Sequence, residues 1–337
     1  MENWILNCNQ NDIVISTKIQ LSRNIEKVPF LEKLTVADGR KNVEKVYSSI
    51  KDKLESNEFK LYEVWDKEKS SFTEYIDKHL ISEKLLKNSD KASFILNNDE
   101  TISIMINEED HIKIQCMTSG LNLEEVLENV VSIDEKIEEN IKYAFDEEFG
   151  YLTSNLQNIG AAMKVHVLIH LPAITMSEEI ENISKRLNNK GLEIKGLYLE
   201  GSNVLGNIYI ISNKASLGIT EEDIIDTVKE EVLKLIADEY KFREILTGKC
   251  KYELEDKIYR ALAILQHAVL LDFKEAVDLI SNVRLGIELS ILSINKERLN
   301  KLIVNIKDSS IESAAGRKLS EKELKYERAN IVRKLLI

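Results

Sequence analysis

The sequence predicts an α+β protein: a large, mainly antiparallel sheet flanked by helices, followed by an all-helical carboxyl-terminal region. Three observations predict it. Residues 101–106 (TISIMI) and 111–116 (HIKIQC) alternate apolar and polar side chains at the strand period, so they read as a β-hairpin. Runs rich in β-branched residues at 165–171 and 207–211 read as core strands, with a helical stretch between them. From residue 252 to 337 the apolar spacing is helical almost throughout, with no convincing strand.

The elements follow in order. Residues 177–187 form an amphipathic helix with Ser177 as its N-cap, closed by the glycine signal at Gly191. Thr220 opens a longer helix to about Leu246, and Glu221, Glu222 and Asp223 in its first turn complement the helix dipole. The pattern changes after Gly248 and Cys250, which places a domain boundary near 250 and gives units of 1–250 and 251–337.

Composition narrows the function classes. A net charge of −12 argues against direct binding of nucleic acid, and no apolar run is long enough to span a membrane. The amino terminus lacks a basic region followed by an apolar core, so no signal peptide is expected. Cys8, Cys116 and Cys250 form no disulfide framework and no CxxC pair, which fits a cytoplasmic protein. His166 and His170 share one strand face and read as structural, because no ligand spacing around them suggests a metal site.

The turn of the hairpin carries the strongest signal. Asn107, Glu108, Glu109, Asp110 and His111 precede Ile-Lys-Ile-Gln. Three acids alone describe any solvated turn, but the whole string closely resembles the signature of the ATP:guanido phosphotransferases. The type of loop at 195–202, the short amino terminus and the helical tail favour the bacterial protein-arginine kinases within that family. Four further segments resemble the same family in the same order: residues 12–24 (DIVISTKIQLSRN), 78–82 (KHLIS), 150–160 (GYLTSNLQNIG) and 195–202 (KGLYLEGS).

The resemblance implies a guanidino-kinase-like catalytic domain, with ATP and Mg²⁺ as cofactors and arginine side chains of proteins as acceptors. It implies that two glutamates hold the acceptor guanidinium, matched here by Glu109 and Glu200, and that His79 lies against the adenine. It implies five phosphate-clamping arginines, and none is arginine here: the matching residues are Lys18, Gln20, Lys113, Lys164 and Lys195. Lysine is a flexible point charge where arginine is a planar fork, so this exchange changes the geometry of a bidentate site. The chain carries 36 lysines and 10 arginines, so drift in composition could account for the exchange. Four of the five positions stay basic, however, which favours a surviving polyanion pocket.

Asn155 stands at the family's loop cysteine, and Ala162 replaces a glycine in the turn before Lys164. For His111, structural hydrogen bonding and a catalytic role are both open. Val283 to Ile287 is expected to serve packing or a dimer contact. The family's arginine-rich phosphoarginine-binding stretch is matched by residues 323–329, which hold a single arginine. The partners implied are proteins with exposed arginine, an adaptor protein, a Clp-type chaperone and a second copy of the chain. The alternative is a catalytically degraded, nucleotide-binding pseudokinase that regulates an active homologue.

Overall fold

The computed structural model describes residues 13–51 and 59–336. Cys8 and the amino-terminal stretch read for a signal peptide lie outside the described residues. The first half runs β1 (Val14–Arg23), α1 (Val36–Lys51), β2 (Phe59–Glu63), α2 (Thr73–Asp77), α3 (Glu83–Lys87), β3 (Ser93–Asn97), β4 (Ile102–Ile106), β5 (Ile112–Ser119) and α4 (Leu123–Glu138). A two-stranded ribbon, β6 (Phe145–Asp146) and β7 (Gly150–Tyr151), precedes β8 (Met163–His170). Then come α5 (Pro172–Met176), α6 (Ile180–Asn189), β9 (Leu192–Glu200), β10 (Asn203–Asn213) and α7 (Glu221–Lys249). The remaining helices are α8 (Lys251–His267), α9 (Phe273–Glu288), α10 (Lys296–Asn305), α11 (Asp308–Ala315) and α12 (Glu321–Leu336).

Eight strands form one sheet in the order β2-β3-β4-β5-β1-β8-β10-β9, and every neighbouring pair is antiparallel. The expected hairpin is β4–β5, with Ile106 opposite Ile112. Its turn is fixed from within: Asn107 takes a positive φ of 61°, its N–H donates to the His111 carbonyl at 2.9 Å, and its side-chain amide donates to the Gly39 and Lys91 carbonyls. Asparagine tolerates this left-handed conformation better than most residues.

One face of the sheet packs Ile19, Leu21, Ile114, Val165, Val167 and Ile211 against Val43 and Val46 of α1, Val130 of α4 and Val228 and Val232 of α7. Each such side chain, fully buried, contributes roughly 1.5–3 kcal/mol. The opposite face is covered only at its ends. Phe72, Leu80 and Leu85, in and around α2 and α3, cover Phe94 and Met105 on the β2 side, and Ile303 of α10 covers Leu168 and Ile208 on the β10 side. The middle of that face is polar and open.

The amphipathic helix starts later than its sequence suggests. Pro172 opens the short helix α5, for which Ser177 is the C-cap, and α6 begins only at Ile180. Proline is favoured in a first turn, and the Glu239 carboxylate of α7 caps α5 by accepting from the Ala173 and Ile174 N–H groups at 3.1 and 3.0 Å. At α7 the sequence signal is met: Thr220 accepts from the Asp223 N–H at 3.1 Å. Among the described residues no strand follows α7, and no helix is long and apolar enough to cross a membrane.

Candidate active site

Strand register assembles the site. Lys18 lies opposite Met117 on β5 and His166 on β8; Gln20 lies opposite Gln115 and Lys164; Ser22 lies opposite Lys113. Ser212 on β10 lies opposite His166 and Glu193, and Ile210 opposite Lys195. Directly opposed residues of antiparallel strands point to one side of the sheet. Lys18, Gln20, Lys113, Lys164 and Lys195 therefore share the open face, although they come from four strands.

Gln20, Lys113, Lys164 and Lys195 line a cavity of about 580 Å³, with Glu109 and His166 in the same wall. Five lysines face it against two glutamates, Glu109 and Glu193, on a chain that is acidic overall. Lys18 and His79 line an adjoining recess that shares His166 and Ile210 with it.

The charges are arranged unevenly. Lys113 is paired with Glu108, and lies 4.0 Å from Glu109. Glu109 pairs with Lys84 at 2.8 Å. Lys164 and Lys195 both bond Glu193, at 3.4 and 2.8 Å. Lys18 has no carboxylate partner among the described residues; burial, and then the neighbouring charge of Lys113, bring its ammonium down to about 8. Burial, Lys307 and Lys18 hold the His79 imidazole well below its usual range, so it is neutral. His79 takes a positive φ of 58°, and its carbonyl accepts from the Gln115 amide at 2.7 Å.

Glu200 stands apart. It ends β9 at the tip of the β9–β10 hairpin, half exposed, and pairs with Lys274 of α9 at 2.5 Å. It does not line the cavity. His111 is structural: Nδ1 accepts from the Ile25 N–H at 3.0 Å and Nε2 meets the Pro29 carbonyl at 2.9 Å. Asn155 lines the cavity and caps a short turn through the Gln157 N–H. Residues 283–287 lie inside α9, where Val283, Arg284 and Leu285 are buried in the chain's own core. Arg328, the one arginine of 323–329, is buried on the carbonyls of Ile306 and Leu271 and on Asp308.

His166, read from the sequence as structural, is a cavity residue; its Nε2 lies 3.2 Å from Gln20 Oε1. Its parity with Lys164 on β8 was the available signal. Glu193 also escaped notice, although it shares the parity of Lys195. Lys84 and Lys214 carry no local signal. Ala162 adopts a positive φ of 51°, held by the Ser22 N–H on its carbonyl at 2.9 Å. That conformation costs a non-glycine residue roughly 1–2 kcal/mol. Ala162→Gly is expected to raise the melting temperature, by an amount matching roughly 0.5–1 kcal/mol after the added entropy of the unfolded glycine.

The sheet order and the open, lysine-lined face define a guanidino-kinase-like fold. Among solved structures, the duplicated taurocyamine kinase from Schistosoma mansoni with bound transition state analog components superimposes with a TM-score of 0.63 at 19% identity. It covers 78% of this chain and 40% of that one. A lombricine kinase gives 0.61 at 23% identity, covering 73% and 70%. Residues 40–242 match the family described as ATP:guanido phosphotransferase, C-terminal catalytic domain, and residues 251–337 match the protein-arginine kinase McsB C-terminal domain. The chain belongs to the ATP:guanido phosphotransferase family. Relatives named protein-arginine kinase include one from Clostridium botulinum, 50% identical over 100% of this chain and 99% of its own length, and one from Clostridium acetobutylicum, 46% identical over 100% of both.

Proposed function

We propose that the protein transfers the γ-phosphoryl group of Mg-ATP to arginine guanidinium groups of proteins. The observation that carries this reading is the juxtaposition of Glu109 and Lys113, 4.0 Å apart on one cavity wall. An acceptor-holding carboxylate there meets a phosphate-holding cation, which is where a phosphoryl group would change hands.

Such transfer asks the protein mainly for position and charge. A guanidinium is cationic and a poor nucleophile. Glu109 grips its nitrogens and draws off the proton as the N–P bond forms and the bond to the ADP oxygen breaks. Lys18, Lys113, Lys164 and Lys195, with Gln20, hold the phosphate oxygens, and neutral His79 offers its ring to the adenine. Mg²⁺ bound to the nucleotide would offset phosphate charge. For Glu200 to join the acceptor, its pair with Lys274 has to break, and Glu200→Gln is expected to lower transfer with MgADP affinity kept.

The deciding assay incubates the purified chain with Mg-ATP and an arginine-rich protein, and measures acid-labile phosphate on the protein. Its absence, with MgADP binding retained, would favour the pseudokinase. The same proposal includes protein substrates with exposed arginine, an adaptor and a Clp-type chaperone as partners, a cytoplasmic location, and a homodimer formed through a helical unit, 251–337.

A pH test follows from Lys18. Its ammonium is charged below about pH 8 and lost above it. MgADP affinity is therefore expected to fall as pH rises from 7 to 9, by at most about tenfold per unit above 8 from this one group. Calorimetry on the chain and on Lys18→Met checks it, because the variant should show the shallower pH dependence.

A further inference from the structure

The two lysines contributed by β8 and β9 are not independent. Lys164 and Lys195 meet on the single carboxylate of Glu193, at 3.4 Å on Oε1 and 2.8 Å on Oε2. The carboxylate is itself fixed, because Ser212 Oγ donates to Oε1 at 3.1 Å from β10, the strand between them. Lys164 has a second anchor in the Asn213 carbonyl. All four side chains line the cavity.

We infer that Glu193 is a positioning residue that holds the ammonium groups of Lys164 and Lys195 together as one two-pronged phosphate clamp. This rests on the phosphate-binding role given to those lysines above. An ammonium on a four-carbon stem has no preferred direction, whereas a guanidinium presents its donors as a planar fork. A carboxylate between two ammoniums supplies the missing direction. Each ammonium has three donors; the protein takes one from Lys195 and two from Lys164, and the rest are left for phosphate oxygens. One negative charge against two positive ones still leaves the pair cationic. Glu193 stays ionised in this setting: burial pushes it up, but hydrogen bonds from Lys195 and Ser212 and the charges of both lysines outweigh burial. Lys164 is held below the usual lysine range, since burial lowers it and Lys195 adds to that, with Glu193 acting in opposition. His166, Lys214, Lys113 and Lys18 also face this region and are present in parent and variant alike.

The competing possibility is that Glu193 only neutralises the lysines and so weakens anion binding. The two predict different splits. If Glu193 positions, Glu193→Gln lowers kcat by about tenfold or more while KM for Mg-ATP and the MgADP Kd at pH 7 stay the same or tighten. If it only neutralises, kcat is kept within twofold as nucleotide binds tighter, and the inference fails. Adding Lys195→Arg to Glu193→Gln should recover at least about threefold in kcat, because the guanidinium brings its own direction; no recovery overturns the inference.

A second arm needs no turnover. Without Glu193, Lys164 loses the neighbouring charge that opposes its burial, so MgADP affinity falls more steeply from pH 7 to 9 in Glu193→Gln than in the parent. Should the parent not phosphorylate protein, the phosphotransfer reading fails and this arm alone decides, with Glu193→Asp beside Glu193→Gln. Profiles that diverge from the parent in both variants uphold the clamp, and parallel profiles, or a parent-like profile in Glu193→Asp, which keeps the charge, sink it. A parent that binds no MgADP overturns both. Glu193→Asp, which keeps the charge but is too short to span both ammoniums, should lose kcat as Glu193→Gln does; parent-like kcat in that variant counts against the clamp.

Discussion

Glu109→Gln is expected to reduce phosphoryl transfer to arginine by about 100-fold or more while MgADP binds with an unchanged Kd. The magnitude is that of removing a proton acceptor or a charge-stabilising group from the reacting centre. Glutamine keeps the shape of the side chain but can neither accept the guanidinium proton nor hold two nitrogens in a charged fork. The fold should tolerate the change, because Lys84, the closer partner of Glu109, is itself about half exposed, and exposed pairs contribute little. Acid-labile phosphate on an arginine-rich protein and calorimetry with MgADP are the two measurements. An equal loss of nucleotide binding in a folded variant would move Glu109 to the phosphate side of the cavity.

The candidate site residues were legible through the resemblance to a family, and period two explains why the matched residues share a sheet face. Lys18 with Gln20, and Lys113 with Gln115, sit two apart on neighbouring strands, and registration of β1 on β5 and β8 does the rest. The same rule holds for His166 and Lys164: metal-ligand spacing around His166 is absent, and only its parity with Lys164 marks it as a cavity residue. Glu193 shows a different limit. Its alternation with Lys195 places it on the open face, but its bonds to Lys164 and Ser212 join β9 to two other strands, and no local pattern records such a meeting. The start of α6 was misplaced for the same reason. Ser177 is a good capping residue by type, while the Glu239 carboxylate that supports α5 lies more than sixty residues away. Glu200 was legible as a match to a family loop, but the Lys274 pair that occupies it was not.

The joint between the sheet and the carboxyl-terminal helices yields the largest expected effect on stability. Glu288 of α9, with a fully buried side chain, receives Arg243 of α7 at 2.6 Å and Arg284 at 3.1 Å, and His170 of β8 lies 3.7 Å away. Lys296 approaches at 3.6 Å. Burial raises Glu288, but His170, Arg284 and Arg243 outweigh it and hold the carboxyl at about 2; burial lowers the His170 imidazole to about 4. At pH 7 the histidine is therefore neutral, and the arginines carry the pairing. Removing one member of such a buried group strands the others without compensation, so Glu288→Ala is expected to cost about 3–5 kcal/mol, a large share of a domain's usual 5–15 kcal/mol. Acid should act on the parent in the same sense. Between about pH 6.5 and 4 the unfolded chain protonates His170 while the folded chain resists, and from about 4.5 down to 2 it protonates Glu288 ahead of the folded chain. Stability is thus full at neutral pH and is lost progressively as pH falls through that range. Thermal and urea unfolding of the full chain at pH 7, 5.5 and 4 measure both effects. In Glu288→Ala the loss below about pH 4.5 should flatten, since the carboxyl no longer titrates. The loss between about 6.5 and 4 should remain, since buried His170 still resists its proton and no longer has Glu288 to favour it; a further measurement at pH 3 separates the two. A variant as stable as the parent at pH 7 would mean that the arginines find water or other partners once Glu288 is removed. The consequence reaches the cavity, because His170 lies on the strand that carries Lys164 and His166. Loosening this joint is accordingly expected to lower kcat in Glu288→Ala at temperatures where the variant is still folded.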